Sequence, residues 1–243
     1  MGTLDGKVAI VTGAGRGIGR GIAEALAAEG AAVSLTARTA GQIEAVAQTI
    51  IQHGGRSIAI AGDVASEEHV QNLFTQTVQH WGRLDILVNN AGAFDGGPLD
   101  QLSLEAWDRV LNTNLRGPFL CTREAMRLMK QQHSGRIINI GSISAQRVRP
   151  NSAPYSASKH GIWGLTQVTA LEGRDFGITC CCLHPGNVRV ERRSTSASPQ
   201  DHEPMIDVAD IARVAVLMAS LPPNVEMLEA IVLPAEQLYV GRG

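Results

Sequence analysis

The chain has 243 residues, of which 44% are hydrophobic, and its formal net charge at pH 7 is −2. This length suits a single α/β domain, and the apolar content is ample for its core. The charge balance excludes the basic surface of a nucleic-acid-binding protein, and no apolar run is long enough to cross a bilayer. Four cysteines without a disulfide framework, and no apolar signal segment, predict a cytoplasmic protein.

The first half of the chain alternates between strand and helix patterns. Short apolar runs rich in β-branched residues are typical of strands buried on both faces. They predict strands at Lys7–Thr12, Ala31–Ala37, Ser57–Ala61 and Leu84–Val88. Amphipathic patterns predict helices at Arg20–Glu29, at Gln42–His53 and from the N-cap residue Ser66 to Trp81.

The second half continues this alternation. Helices are predicted at Ser103–Asn114, Pro118–Gln131, Tyr155–Arg174 and Val208–Ser220. Strands are predicted at Arg136–Ile140, Ile178–Leu183 and Ala230–Leu233. In the sixth strand, Cys180, Cys181 and Cys182 point to alternate faces, so they are interpreted as small packing residues and no metal site is expected. The whole pattern predicts one doubly wound α/β (Rossmann) domain over residues 1–243, with a parallel seven-stranded sheet and helices on both faces.

The residues with the strongest functional signals follow the predicted strands. Because ligands of doubly wound sheets bind beyond the carboxyl ends of the strands, we expect these residues to share one site. They are Gly13–Gly19, Arg38, Asp63, Asn89–Gly92, Ser142 and Pro185–Gly186.

The glycine-rich turn after the first strand predicts a phosphate-binding site. Gly13, Gly17 and Gly19 allow the backbone to approach a pyrophosphate, which the N-terminus of the following helix attracts. The window about 20 residues further on, where an NAD site usually has an acid, contains Arg38 and no acid. Arg38, with Arg16 in the turn, suits a 2′-phosphate and predicts NADP(H) over NAD(H). The alternatives are a glycine loop without ligand, and arginines that are merely capping or solvated.

Tyr155 and Lys159 lie four residues apart in a predicted helix. This spacing places both side chains on one face, with the ammonium near the phenol. A positive charge ~5 Å away, at an effective dielectric of about 20, favours the phenolate by roughly 3 kcal/mol before screening. The phenol can then act as an acid or a base near neutral pH. A chance pair on a surface helix is the alternative when this motif is considered alone.

Considered together, these residues resemble the classical short-chain dehydrogenase/reductase family. The matching segments are Thr12–Gly19 (TGAGRGIG), Asp63–Val64, Asn89–Gly92 (NNAG), Asn114, Ser142, Tyr155–Lys159 (YSASK) and Pro185–Val188 (PGNV). Each segment is a weak signal alone, whereas their common order and spacing is specific. The resemblance therefore implies a fold and a set of site residues.

Four catalytic residues are implied by the resemblance. Tyr155 would give a proton to a carbonyl or accept one from an alcohol. Lys159 would hold the nicotinamide ribose and favour the phenolate. Ser142 would hydrogen-bond the substrate oxygen, and Asn114 would hold a water that links Lys159 to solvent.

Cofactor contacts are implied as well. Asp63 and Val64 would contact the adenine, and Asn90 would bind a cofactor ribose and stabilise the sheet edge. The complete predicted cofactor-binding set is Gly13, Gly15, Arg16, Gly17, Ile18, Gly19, Arg38, Asp63, Val64, Asn90, Ala91, Gly92, Tyr155, Lys159, Pro185, Gly186 and Val188.

The sequence also departs from the family pattern. Val190 stands where the family often has a threonine that contacts the nicotinamide amide. The predicted substrate lid, about residues 187–207, is short and polar. His160 and His184 are not needed by the motifs and are interpreted as structural.

The predicted function is NADP-dependent hydride transfer involving a small carbonyl or secondary alcohol. The body of the chain also resembles the 3-oxoacyl-carrier-protein reductases, which is an alternative, although the basic carrier-docking positions are Gln131, Gln132 and Phe176 here. Leu221–Gln237 resembles the end of the subgroup acting on 3-hydroxy acids. A second alternative is a non-catalytic NADP(H)-binding redox sensor. The resemblance further implies a homodimer or homotetramer.

Overall fold

A computed structural model describes residues 2–191 and 203–239. Its strands are β1 Val8–Thr12, β2 Ala32–Thr36, β3 Arg56–Ala59, β4 Ile86–Asn89, β5 Gly135–Ile140, β6 Ile178–Pro185, β7 Val188–Arg189, β8 Ile206–Asp207 and β9 Glu229–Val232. Seven of these strands form a parallel sheet in the order β3-β2-β1-β4-β5-β6-β9. The predicted seven-stranded parallel sheet is therefore confirmed.

Helices connect the strands. They are α1 Gly17–Ala28, α2 Ala40–Gln52, α3 Glu67–Trp81, α4 Leu104–Leu111, α5 Gly117–Gln132, α6 Ala153–Gly173 and α7 Val208–Ser220. The start of α1 was predicted at Arg20, but the helix begins at Gly17, so its first turn lies inside the glycine-rich turn. Within residues 2–191 and 203–239, no helix combines the length and the apolar character that crossing a membrane requires.

Two apolar cores lie on the two faces of the sheet. Ala9 and Val11 of β1 pack into the core that includes side chains of α1, α2 and α7. Ile10, between them, packs into the core that includes side chains of α3 and α5. This alternation is expected for a strand covered on both sides, since successive side chains point to opposite faces.

The run of cysteines follows the same alternation. Cys181 belongs to the first core and Cys180 to the second. Burial raises the pKa of the Cys181 and Cys182 thiols to about 12. These thiols are therefore neutral packing groups, as the sequence predicted.

The helical segment after β4 differs from the prediction. Two separate helices were predicted at Ser103–Asn114 and Pro118–Gln131. Instead, a five-residue π-helical segment, Asn112–Arg116, joins α4 directly to α5. A π-helical insertion of this kind often occurs at a functional site, because it changes the direction of side chains within a continuous helix.

The predicted lid contains a short parallel strand pair that the sequence did not indicate. β7 pairs with β8 through Val188↔Ile206 and Arg189↔Asp207. The centre of the predicted lid, residues 192–202, lies outside the described residues.

Candidate active site

The predicted site residues lie around the carboxyl edge of the sheet. The strand ends of β1, β4, β5 and β6 are neighbours there, because these strands are adjacent and parallel. In chain order, the predicted residues beyond this edge are Gly13, Gly15, Arg16, Gly17, Ile18, Gly19, Arg38, Asp63, Val64, Asn90, Ala91, Gly92, Ser142, Pro185, Gly186 and Val188. Asn114, Tyr155 and Lys159 join them through the contacts described below.

Tyr155 and Lys159 lie together on α6. The Lys159 Nζ atom is 5.6 Å from the centre of the Tyr155 ring. It donates a hydrogen bond of 2.7 Å to the carbonyl oxygen of Ile140, at the end of β5, and its side chain is buried. The Tyr155 hydroxyl has no hydrogen-bond partner within residues 2–191 and 203–239. The Phe94 and Tyr155 rings pack edge-to-face, with their centres 5.3 Å apart. Among the described residues, the Tyr155 hydroxyl is thus unpaired, whereas the Lys159 ammonium is held in place by its hydrogen bond.

Ser142 lies directly after β5 and is buried. Its Oγ accepts a hydrogen bond of 3.1 Å from the backbone N–H of Ser144. The Nδ1 atom of His184 lies 3.2 Å from the backbone nitrogen of Ser142 and 2.9 Å from its carbonyl oxygen. This contact between a side chain outside the family motifs and a predicted catalytic residue was not foreseen from the sequence.

Asn114 lies in the π-helical segment and is fully buried. Its Oδ1 accepts a hydrogen bond of 2.7 Å from Ala93 N, and its Nδ2 donates to Ala93 O at 2.9 Å and to Ser158 Oγ at 3.2 Å. Both amide hydrogens therefore bond to protein atoms. The side chain ties the loop after β4 to helix α6, which carries Tyr155.

The glycine turn packs tightly against the end of β4. Gly13 has φ +63, and a Cβ there would lie 2.7 Å from Ala91 Cα. A Cβ at Gly19 would overlap the Asn90 Nδ2 atom. Asn90 Nδ2 in turn donates to the carbonyl oxygens of Thr12 at 2.9 Å and Gly13 at 3.2 Å. Asn90 thus stabilises the sheet edge, as the resemblance implied, with its amide hydrogens directed to the glycine turn.

Two arginines lie at the other end of the site. Arg16 and Arg38 are both exposed, and their guanidinium groups form no ion pair or hydrogen bond within the described part of the chain. Nearby, Asp63 Oδ1 accepts a hydrogen bond of 2.9 Å from Ala65 N, and Val64 is buried. This end of the site presents two guanidinium groups to solvent.

The loop after β6 is held by the C-terminal part of the chain. Gly186 N donates to Val232 O at 2.8 Å, and Asn187 N donates to the buried Gln237 Oε1 at 2.9 Å. The Asn187 side chain donates to Glu203 Oε2 at 2.7 Å. No sequence motif pointed to Gln237, because its contact is with a residue 50 positions away.

Two arginines lie in the loop between β5 and α6. Arg149 forms an ion pair of 2.8 Å with Glu203, so its charge is already compensated. The Arg147 guanidinium lies over the Tyr239 ring at 5.9 Å.

These features fit a nicotinamide dinucleotide. The first turn of α1 directs backbone N–H groups into the glycine turn, as an anionic pyrophosphate requires. A Cβ at Gly92 would lie in ordinary van der Waals contact with Asn90 O at 3.7 Å and Asn114 Oδ1 at 3.8 Å. The exposed Arg16 and Arg38 guanidinium groups lie on the same edge.

Comparisons with known proteins agree with this geometry. The pattern of the short chain dehydrogenase family matches residues 7–201. The chain belongs to this family. It is therefore an oxidoreductase of a family that uses a nicotinamide cofactor and acts on CH–OH groups.

Individual relatives cover most of the chain. A 3-oxoacyl-[acyl-carrier-protein] reductase of Synechocystis sp. is 39% identical over 214 residues, covering 88% of this chain and 85% of the relative. Glucose 1-dehydrogenase 2 of Bacillus subtilis is 37% identical over 193 residues, covering 77% and 74%.

Solved structures show the same family fold. A Serratia marcescens short-chain dehydrogenase/reductase double mutant has a TM-score of 0.89 and 36% identity, over 96% of this chain and 98% of its own. A metagenomic short-chain oxidoreductase in complex with NADP has a TM-score of 0.83 and 33% identity, over 97% of this chain and all of its own.

Proposed function

We propose that this protein is an NADP-dependent oxidoreductase that interconverts a small carbonyl compound and its secondary alcohol, with Tyr155 as the general acid and base. The observation that carries this proposal is the Tyr155 hydroxyl, which has no hydrogen-bond partner among the described residues, beside the buried Lys159 ammonium. A group that exchanges a proton with substrate must be free of competing protein contacts, and its charge must be stabilised nearby.

The four catalytic side chains have different roles in the transfer of one proton. Bound NADPH supplies the hydride in reduction, and NADP⁺ accepts it in oxidation. In reduction, Tyr155 donates its proton to the substrate oxygen, and the Lys159 ammonium stabilises the phenolate that remains. The Ser142 hydroxyl donates a hydrogen bond to the same oxygen. Asn114 holds α6 against the loop after β4, which keeps the phenol in place.

The cofactor would be held along the carboxyl edge of the sheet. Arg16 and Arg38 would bind the 2′-phosphate, since unpaired guanidinium groups form strong bidentate contacts with phosphate. The other contacts come from Gly13, Gly15, Gly17, Ile18, Gly19, Asp63, Val64, Asn90, Ala91, Gly92, Tyr155, Lys159, Pro185, Gly186 and Val188. The NADP complex of the metagenomic relative supports this assignment.

A 3-oxoacyl-carrier-protein reductase is the second candidate, and the Synechocystis relative favours it. The docking positions favour a small free substrate instead. Gln132 bonds to both backbone groups of Leu84, at 3.1 and 2.7 Å, and is therefore committed to packing. Phe176 lies beneath the Lys130 ammonium at 4.6 Å, so this lysine is the carrier-docking cation to examine. A non-catalytic redox sensor would not need the intact set of four catalytic side chains.

The assembly and location belong to the same proposal. Val168 and Leu171 of α6 are 51% and 63% exposed, which supports a homodimer or homotetramer built on this helix. The cytoplasm, where NADPH and reduced cysteines are maintained, is the proposed compartment.

The test is NADPH oxidation with a panel of small ketones, aldehydes and 3-oxo acids, alongside a 3-oxoacyl carrier-protein substrate. Wild type should reduce at least one small carbonyl. Tyr155→Phe should lose this activity by a factor of about 10² to 10⁴ while its NADPH affinity, followed by fluorescence, is unchanged. Reduction of the carrier substrate alone would favour the second candidate. Turnover by Tyr155→Phe at the wild-type rate would refute the mechanism.

A further inference from the structure

His184 is a fully buried imidazole that contacts Ser142 from behind the site. It lies on β6, and the edge of its ring faces Trp163 of α6 at a centroid distance of 5.9 Å. Its Nδ1 atom is within hydrogen-bond distance of both the N–H and the carbonyl oxygen of Ser142. One neutral ring nitrogen either accepts or donates, so it can satisfy only one of these two groups at a time.

The other ring nitrogen faces a carboxylate. Nε2 of His184 lies 3.3 Å from Glu229 Oε1 but makes no hydrogen bond of acceptable geometry within the described residues. Glu229 comes from the edge strand β9. Among the described residues, the other charged group that acts on the imidazole is Lys159 of α6.

The carboxylate distinguishes the two neutral forms of the ring. With the proton on Nε2, an N–H dipole points towards Glu229, and Nδ1 accepts from the Ser142 N–H. With the proton on Nδ1, the ring donates to the Ser142 carbonyl, but the Nε2 lone pair then faces a negative charge in a buried place. The first tautomer is favoured because it gives the Ser142 N–H an acceptor and turns an N–H dipole, not a lone pair, towards the Glu229 carboxylate.

We propose that His184 and Glu229 are positioning residues for Ser142: the carboxylate keeps the imidazole proton on Nε2, so that Nδ1 holds the Ser142 backbone N–H. This proposal rests on the function proposed above, since it assigns Ser142 to the substrate oxygen. Glu229 also accepts a hydrogen bond from Gln146, in the loop that follows Ser142. The Glu229 carboxylate therefore contacts both His184 and the loop that follows Ser142.

Protonation of His184 would undo this arrangement. A cationic ring donates from both nitrogens, so Nδ1 turns to the Ser142 carbonyl and the Ser142 N–H loses its acceptor. Burial is the main cause that lowers the pKa of His184, and Lys159 lowers it as well, whereas Glu229 and the Ser142 contact raise it. Activity should therefore fall as the pH drops through the acidic range, and removing the Glu229 charge should move that fall to still lower pH.

The experiment compares Glu229→Gln with Glu226→Gln. Glu226 is a matched control, because it also bonds to β6, through Cys180 N at 2.8 Å, but away from the site. Histidine ¹⁵N chemical shifts report the tautomer and titration of His184 without any need for activity. The pH profile of kcat reports the effect on catalysis.

We expect wild type and Glu226→Gln to show His184 in the Nε2–H form at neutral pH. Glu229→Gln should show a mixture of His184 tautomers. The midpoint of the His184 titration and the acidic fall of kcat should both move about one pH unit lower. At pH 7, kcat should be about tenfold lower, with unchanged NADPH affinity. An Nδ1–H tautomer in wild type, or identical shifts and pH profiles in the two variants, would overturn the proposal. If no carbonyl is reduced, the proposed function fails by itself, and the NMR result still decides the tautomer.

Discussion

The two ends of the candidate site differ in how the protein holds its functional side chains. At the Tyr155 end, Lys159 and Asn114 are buried, and they bond to backbone groups at the end of β5 and in the loop after β4. At the other end, Arg16 and Arg38 are exposed and have no protein partner among the described residues.

This difference reflects what each end must do. A proton-transfer group needs a fixed geometry in the unliganded protein, because misplacement lowers the rate of the chemical step. A phosphate-binding arginine needs its donors free, because pairing with a carboxylate would compete with the ligand. Substitutions at the first end should therefore change catalysis or folding, and substitutions at the second end should change only affinity.

The largest effect should come from Lys159→Met. Methionine retains the buried apolar stem but removes the charge that stabilises the Tyr155 phenolate, so kcat should fall by about 10² to 10⁴. Steady-state kinetics at saturating cofactor measure this loss. Lys130→Met, on α5 and away from the site, is the matched control and should retain its activity with a small carbonyl. Near-normal turnover by Lys159→Met would show that the tyrosine does not need the ammonium.

Asn114→Ala should mainly affect folding. It removes three hydrogen bonds and leaves the backbone groups of the partly buried Ala93 unpaired, which costs about 2–4 kcal/mol of unfolding free energy. Denaturant titration measures this change. Asn112→Ala, at an exposed position of the same π-helical segment, should change stability by less than about 0.5 kcal/mol. Equal effects of the two substitutions would contradict the assigned role of Asn114.

Arg38→Ala should leave stability unchanged, because the side chain has no hydrogen bond or ion pair to lose within residues 2–191 and 203–239. NADPH affinity should fall by about 10- to 100-fold, as expected when a charge-assisted phosphate contact worth about 1.4–2.8 kcal/mol is removed. NADH affinity should not change. Arg56→Ala, at the opposite end of the sheet where β3 begins, is the control and should not alter either affinity. Equal losses for NADPH and NADH would exclude a 2′-phosphate contact at Arg38.

The sequence predicted the fold well because its signals are local. Alternating core membership of Ala9, Ile10 and Val11 follows from a strand buried on both faces, and such strands are short apolar runs. The π-helical segment at Asn112–Arg116 was missed. Its geometry depends on the tertiary bonds of Asn114, and no local propensity distinguishes it from an α-helix.

The site was predicted in part for a similar reason. Tyr155 and Lys159 are neighbours through helical spacing, so their proximity can be deduced from four residues of sequence. His184 and Glu229 meet only because β6 pairs with β9 in a particular register, in which Cys182 lies opposite Glu229. A single sequence does not contain that register, and the family motifs do not include these side chains.

Gln237 is a further contact of this kind, and it provides the smallest predicted effect. The side chain accepts a hydrogen bond from Asn187 N, in the loop after β6 and next to Gly186. In the same loop, Val190 lacks the hydroxyl that the family often provides. Gln237→Ala should weaken NADPH binding about threefold to tenfold, since one buried hydrogen bond contributes about 0.5–1.5 kcal/mol. Fluorescence titration measures this change, with exposed Glu236→Gln as the control. Unchanged affinity would show that β9 and the loop pairing at Gly186 hold this end of the site without the glutamine.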